Sequence, residues 1–359
     1  MSSGLAIRLA MATIDRYHRQ ALLPVIGREG QSRISRATVA VVGVGALGCA
    51  SAELLARAGV GRLILIDRDI VELTNLQRQT LYTEADAEAG RPKAHAARER
   101  LRAVNSEIEI VAQASDLSSE NAEELLDESD VIVDGTDNFE TRYLLNDLAQ
   151  QEAIPLVIGG AVGTRGTITP VIPERGPCLR CLEPELPVQR ETCDTTGVLG
   201  PIVQIIGARQ AAIALRVLSE GEGSVPIVLE EFDAWTGQTR SIELSESRNE
   251  SCVCCVQRRF DFLDGVGVGR TTKLCGRGAV QVTPPRVGRV NLIEVAASLS
   301  KQGEVTALEG LVRAVLVGEP PEIGDHVELT IFSDGRAIVK GTEEASRARA
   351  IYSRYVTTG

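Results

Sequence analysis

Four cysteines in two Cys-x-x-Cys pairs, Cys178/Cys181 and Cys252/Cys255, form the clearest metal-donor set in this chain. Each pair presents two thiolates from one short turn. Two such pairs suit a closed tetrahedral zinc site of the structural kind. Both pairs flank irregular stretches, so the metal would pin a long crossing segment to the chain beyond the last strands of the sheet. Cys254, inside Cys252-Val253-Cys254-Cys255, could substitute for one ligand.

The second constellation is Gly43-Val44-Gly45-Ala46-Leu47-Gly48, between an apolar run and a helical pattern. Gly43 permits a tight turn, Gly45 lets the backbone approach a phosphate, and Gly48 lets helix pack on strand. The helix N-terminus then faces the anion. Asp67 ends the next apolar run, where it can accept from ribose hydroxyls. Alone, this motif suggests NAD. Asn75-Leu76-Gln77-Arg78-Gln79 changes that reading, because three amides and a guanidinium suit the oxygens of a triphosphate. Lys93 follows Gly90-Arg91-Pro92. With Pro92 as the first helical residue, Lys93 falls in the first turn, where a cation is disfavoured by about 0.3–1 kcal/mol unless an anion is near. Asp137, in Asp134-Gly135-Thr136-Asp137-Asn138, lies beyond another apolar run. Beside a triphosphate its carboxylate suits Mg2+, and it can also cap a helix starting at 138.

Cys193 stands alone in Arg190-Glu191-Thr192-Cys193-Asp194. A thiol near an arginine and a helix N-terminus can become a nucleophile; an inert loop cysteine fits the same residues. His18, His95 and His326 show neither triad nor metal spacing.

The elements that must position these groups alternate. Apolar runs at 38–43, 62–66, 108–112, 131–134 and 155–158 read as strands. Helical patterns occupy about 46–58, 93–104, 120–126 and 138–153. This is a Rossmann-like, doubly wound α/β arrangement with a mostly parallel sheet. Antiparallel strands continue it at 164–172, 227–232 and 239–244, with a long apolar helix at 198–218. Gly265 to Gly269 reads as a linker. We therefore expect two domains, 1–264 and 265–359. The second is a small α+β domain: a strand, a helix at 292–301, further strands, a hairpin at Ser333-Asp334-Gly335-Arg336 and a final helix at 343–355.

Composition narrows the partners. A length of 359 residues suits two domains. Acidic residues outnumber basic ones by 49 to 38, a net charge of −11, which argues against nucleic acid. Aromatics at 3% leave no base-stacking platform. The longest uncharged stretch, 37–52, is glycine-rich and too short for a membrane span. The first twelve residues lack the apolar core of a signal peptide, and eight cysteines are too few for a disulfide scaffold. A cytoplasmic protein without membrane association is expected.

In their order along the chain, seven segments resemble one family. They are Arg16-Tyr17-His18-Arg19-Gln20, the glycine loop, Asn75 to Gln79, Gly90 to Lys93, Thr136-Asp137-Asn138, Cys178-Leu179-Arg180-Cys181 and Thr196-Gly197-Val198-Leu199-Gly200-Pro201. Together, over about 14–257, they resemble the ThiF/MoeB/HesA adenylyltransferases, relatives of the ubiquitin-activating enzymes. The resemblance implies that ATP activates the C-terminal Gly-Gly carboxylate of a ubiquitin-like sulfur-carrier protein as an acyl-adenylate, releasing pyrophosphate. A thiocarboxylate for thiamine or molybdopterin synthesis would follow, with sulfur from a donor protein. It further implies that Gly43, Gly45, Gly48 and Asp67 hold the nucleotide, and that Asp69, Asn75, Arg78, Gln79 and Lys93 line ribose and phosphates. Asp137 would hold Mg2+, and the four paired cysteines would hold Zn2+. Arg19 would reach into a partner subunit's site, which implies a homodimer. Cys193 matches a cysteine that enters the sulfur or thioester chemistry in some members and is dispensable in others.

The departures are Ala46, Gly135 and Thr196, where Gly, Cys and Ala are frequent, and the additional Cys254. The C-terminal domain is too short for the rhodanese of some relatives, and its only cysteine, Cys275, lies at its start. The chain ends Thr-Thr-Gly, unlike a fused carrier. Three other readings stay open: a tRNA-modifying dehydratase of the same superfamily, an NAD oxidoreductase, and a non-catalytic scaffold that keeps the fold and the zinc.

Overall fold

The computed structural model describes residues 16–185, 196–265, 271–274, 278–283 and 290–356. Two sheets organise them. The first has eight strands in the order β3-β2-β1-β4-β5-β6-β7-β8. Its members are β1 (Thr38–Val42), β2 (Arg62–Ile66), β3 (Glu109–Gln113), β4 (Val131–Asp134), β5 (Leu156–Val162), β6 (Arg165–Val171), β7 (Val228–Asp233) and β8 (Thr239–Glu243). β1 to β5 are parallel, and β6 to β8 extend the edge antiparallel. The continuous apolar sequences of β1, β2 and β4 follow from burial on both faces.

Helices α1 (Gly27–Ile34), α2 (Ala46–Ala58), α3 (Lys93–Val104), α4 (Phe139–Glu152) and α5 (Gly200–Glu220) cover this sheet. α5 is long and apolar enough to cross a membrane by length and composition. Here that apolar surface packs on α2 and on the sheet, with Ile202, Val203 and Ile206 buried. Gly207 makes the crossing close, since a Cβ there would lie 2.5 Å from that of Ala50.

The second sheet is antiparallel, in the order β11-β12-β13-β14-β10-β9. It comprises β9 (Thr271–Leu274), β10 (Ala279–Val282), β11 (Gly303–Leu308), β12 (Leu311–Leu316), β13 (Val327–Phe332) and β14 (Ala337–Lys340). With α6 (Leu292–Leu299) and α7 (Ala345–Tyr355) it forms its own apolar core. Two strands precede α6 where the sequence pattern gave one. The predicted turn at 333–336 joins β13 to β14, with Gly335 at φ +86°. Most of the expected linker lies outside the described residues.

Three glycines pinch β1 against β4. Gly43 leaves β1 at φ +80°, a conformation that disfavours any side chain. A Cβ on Gly48 would sit 1.9 Å from the Gly43 carbonyl oxygen, and one on Gly135 would sit 2.4 Å from it. Gly135, a departure at the sequence level, is therefore the residue this close approach requires. Gly135→Val should lower the melting temperature and cost roughly 1–3 kcal/mol in denaturant unfolding, the usual range for overpacking. An unchanged midpoint would show that the pinch relaxes freely.

Candidate active site

The carboxyl ends of the parallel strands open on a cavity of about 670 Å³. It lies at the switch point between β1 and β4, where open α/β sheets bind ligands. Gly43, Gly45, Ala46 and Leu47 form its floor. α2 begins there with Gly45 as its cap and no side-chain hydrogen bond to its first amides. Uncapped N–H groups and the positive end of the helix dipole thus face the cavity, an arrangement that attracts an anion. The Gly45 Cβ position has no neighbour closer than the Gln79 amide at 4.0 Å, so a side chain there would project into the ligand space.

Asp67 is buried at the end of β2. Its Oδ2 accepts from the Val44 N–H at 2.7 Å and its Oδ1 from the Asp69 N–H at 2.7 Å. It fixes the glycine loop as well as facing the cavity. Burial raises its pKa, while the charge of Lys93 opposes that shift. Lys93 is buried, with Nζ 3.0 Å from Asp69 Oδ2. Its helix differs from the sequence reading by one position. Pro92 is the cap and Lys93 the first residue of α3, with its N–H donating to the Asp69 carbonyl at 2.9 Å. The lysine remains in the first turn, where the dipole favours an anion beside it.

Asp137 lines the wall, but it is not the cap of α4. Asn138 takes that role, its Oδ1 accepting from the N–H groups of Glu140 and Thr141 at 2.8 and 3.3 Å. Asp137 thus has no capping duty on this helix. Arg78 and Gln79 line the cavity. Asn75 does not: it is buried, and its Oδ1 accepts from the Glu72 N–H at 3.0 Å, which shapes the loop carrying Arg78. Gly48 likewise lies behind the wall. Arg19 is exposed and outside this chain's own cavity. Cys193 and Cys275 lie outside the described residues.

Four further charged residues line the cavity that the sequence analysis did not single out: Arg68, Asp116, Arg142 and Arg165. Arg142 is a clamp. Its Nε donates to Asp134 Oδ2 at 2.7 Å, and its Nη2 to the carbonyls of Thr136 and Gly159 at 2.9 and 2.8 Å. Gln210 adds a bond from α5 to the Asp134 carbonyl at 2.6 Å. A signal was available for Arg68 and Asp116. Both follow strand ends on the ligand side of the sheet, Arg68 between the two aspartates.

On the other face of the sheet the two cysteine pairs meet. The four sulfurs of Cys178, Cys181, Cys252 and Cys255 lie within 4.8 Å of one another. Neighbouring sulfurs are 3.9, 3.6 and 3.4 Å apart. A tetrahedron with bonds of about 2.3 Å to zinc separates its sulfurs by roughly 3.8 Å, so the cluster fits the ion. Burial, then the hydrogen bond with Cys181, pushes the Cys255 thiol up to about 11. The Cys178 contact and burial push Cys181 up to about 12. A bound cation would supply the charge that keeps such thiols ionised. Asn146 on α4 braces both turns: its Oδ1 accepts from the Leu179 N–H at 2.8 Å and its Nδ2 donates to Cys254 Sγ at 3.3 Å. Cys254 accepts this bond and is not one of the four clustered sulfurs.

The ThiF family model matches residues 17–254. The chain belongs to the ThiF family. A Bacillus subtilis relative, the sulfur carrier protein ThiS adenylyltransferase, is 38% identical over 347 residues, which is 95% of this chain and 99% of the relative. The Thermus thermophilus sulfur carrier protein adenylyltransferase is 41% identical over 69% of this chain and 93% of its own. The adenylyltransferase and sulfurtransferase MOCS3 of Culex quinquefasciatus is 42% identical over 67% of this chain and 55% of its own. Among solved structures, Escherichia coli MccB in complex with MccA-N7isoASN has the same fold. Its TM-score is 0.59 at 23% identity, over 67% of this chain and 74% of that one.

Within this ThiF-family chain the cysteine geometry predicts one zinc per protein after purification. Cys178→Ser or Cys252→Ser should lose most of it, whereas Cys254→Ser should retain it, as read by elemental analysis. Equal loss from all three would return Cys254 to the ligand set.

Proposed function

We propose that this protein adenylylates the C-terminal Gly-Gly carboxylate of a ubiquitin-like sulfur-carrier protein, using ATP and Mg2+ and releasing pyrophosphate. The observation that carries the reading is one cavity in which an uncapped helix N-terminus, Lys93, Arg78 and Asp137 converge. Charges of both signs in one cavity suit a magnesium nucleotide better than a bare anion.

In this reading Asp67 accepts from the ribose, with Asp69 beside it, and Gly43 and Gly45 let the phosphates approach the loop. Gly48 and Asn75 act from behind the wall by setting the shape of the loops. Gln79, Arg78 and Lys93 face the phosphate chain, and the Lys93–Asp69 pair keeps the ammonium oriented before substrate arrives. Mg2+, held by Asp137, would supply charge neutralisation on the phosphates. The carrier's carboxylate oxygen attacks the α-phosphorus, and the bond from that phosphorus to the bridging oxygen of pyrophosphate breaks. A carboxylate is already a nucleophile at neutral pH, so no general base is needed. Catalysis then rests on positioning and charge stabilisation.

The match to the Bacillus subtilis relative covers 95% of this chain and so takes in the C-terminal sheet, whereas those to the other two relatives cover 69% and 67%. This favours a carrier of the ThiS type in thiamine synthesis over the molybdopterin branch. The remaining features of the reading are a cytoplasmic homodimer, Arg19 reaching the partner subunit's site, a separate sulfur donor, and Cys193 entering the transfer that follows adenylation. The zinc site is structural. Residues 1–264 form the catalytic domain and 265–359 an accessory one.

Intact-mass analysis of a candidate carrier, incubated with enzyme, ATP and Mg2+, should reveal an AMP adduct on the carrier's C-terminus. Lys93→Ala, Arg78→Ala and Asp137→Asn should each lower the rate of its formation by about 100-fold or more, the scale of a lost charge-stabilising group. An adduct formed equally fast by all three variants would contradict these roles.

A further inference from the structure

The C-terminal sheet does not pack on the first domain at an arbitrary place. It touches two segments that border the cavity. One is the start of α3, where Glu309 receives hydrogen bonds from His95 Nδ1 at 2.8 Å and Arg98 at 2.9 Å, and where Arg313 donates to the Gly90 carbonyl at 3.1 Å. The other is the segment after β3. There Gln281 on β10, which is buried, donates from Nε2 to Asp116 Oδ2 at 2.8 Å. The Asp116 N–H donates to Asp334 Oδ2 at 3.3 Å. Arg336 lies 1% exposed over the Phe332 ring, pairs with Asp334 at 3.0 Å and donates to the Ala114 carbonyl at 3.1 Å.

Asp116 is the shared member of this contact. Its other carboxylate oxygen pairs with Arg68 at 3.3 Å, and both Asp116 and Arg68 line the cavity. Arg68 also lies in the electrostatic field of Asp69, Asp137 and Asp67. Gln281 reaches across the interface and holds the carboxylate that pairs with Arg68.

We propose that the C-terminal sheet is a positioning element for the nucleotide site, with Gln281 acting through Asp116 to orient Arg68 toward the bound nucleotide. The inference rests on the reading that the cavity takes ATP. Gln281 is a positioning residue, since it touches neither the cavity nor the nucleotide.

The test is ATP binding to the full-length protein by titration calorimetry. Gln281→Met keeps the side chain's length and removes the donor, and it should weaken ATP about tenfold. Arg98→Ala removes an ion pair of the same interface that does not reach Asp116, and its affinity should stay within about twofold of the parent's. In an Asp116→Asn background the Gln281→Met change should add little, because coupled residues are not additive. If Gln281→Met melts early, Gln281→Glu keeps the shape, replaces the donor by a charge facing Asp116 and should weaken ATP at least as much. Parental ATP affinity in the folded Gln281 variant overturns the inference and leaves the ATP reading standing. Equal weakening by Arg98→Ala, or full additivity with Asp116→Asn, also overturns it, since the effect would then be general loosening. A parent protein that binds no ATP overturns both.

Discussion

The whole arrangement depends on how closely two backbone segments approach at the ends of β1 and β4. Side chains are absent at Gly48 and Gly135 because the carbonyl of Gly43 occupies the space that their Cβ atoms would need, and at Gly43 because the Gly135 carbonyl stands in the same relation to it. This contact sets where α2 begins and aims its uncapped amides into the crevice. Asp67 then ties the loop to β2 through the Val44 N–H, and the glycine-loop end of the cavity is fixed by backbone rather than by flexible side chains.

A second constraint keeps the adjoining edge in place. Asp134 is fully buried and is held by Arg142, the Thr136 hydroxyl and amide, and, at its carbonyl, Gln210. A buried ion pair of this kind contributes less to stability than it costs when one partner is removed, because the survivor is left uncompensated. Its use here is geometric. It joins the ends of β4 and β5 to α4 and α5, so Asp137 is presented from a rigid turn. The paired cysteines do the corresponding work on the far face, where α4 braces both turns through Asn146.

Much of this was legible in the sequence because its signals are local. Buried parallel strands read as unbroken apolar runs, the glycine loop has fixed spacing, and the cysteine pairs bring their own geometry. Several points were not legible. The cap of α4 is Asn138 rather than Asp137, a one-residue choice that depends on how the turn leaves β4. Asn75 has the right chemistry for a ligand, yet its amide closes its own loop. Arg142 and Arg165 are brought to the cavity only when a helix and a strand distant in sequence align with the glycine loop, whereas Arg68 and Asp116 carried the local signal of following strand ends. Gln281 and Arg336 matter only once the second sheet docks, and no periodicity encodes that docking.

The site contains basic side chains, an uncapped helix N-terminus and acidic groups, but no histidine among the residues lining the cavity. That combination suits a reaction in which the nucleophile arrives already charged and the enzyme's task is to align it. ATP–pyrophosphate exchange measures that step without any later sulfur chemistry. With an intact Gly-Gly-ending carrier, exchange should be rapid, and with a carrier truncated by those two residues it should vanish. Exchange that is indifferent to the tail, or its absence with every intact carrier despite tight ATP binding, would contradict the account.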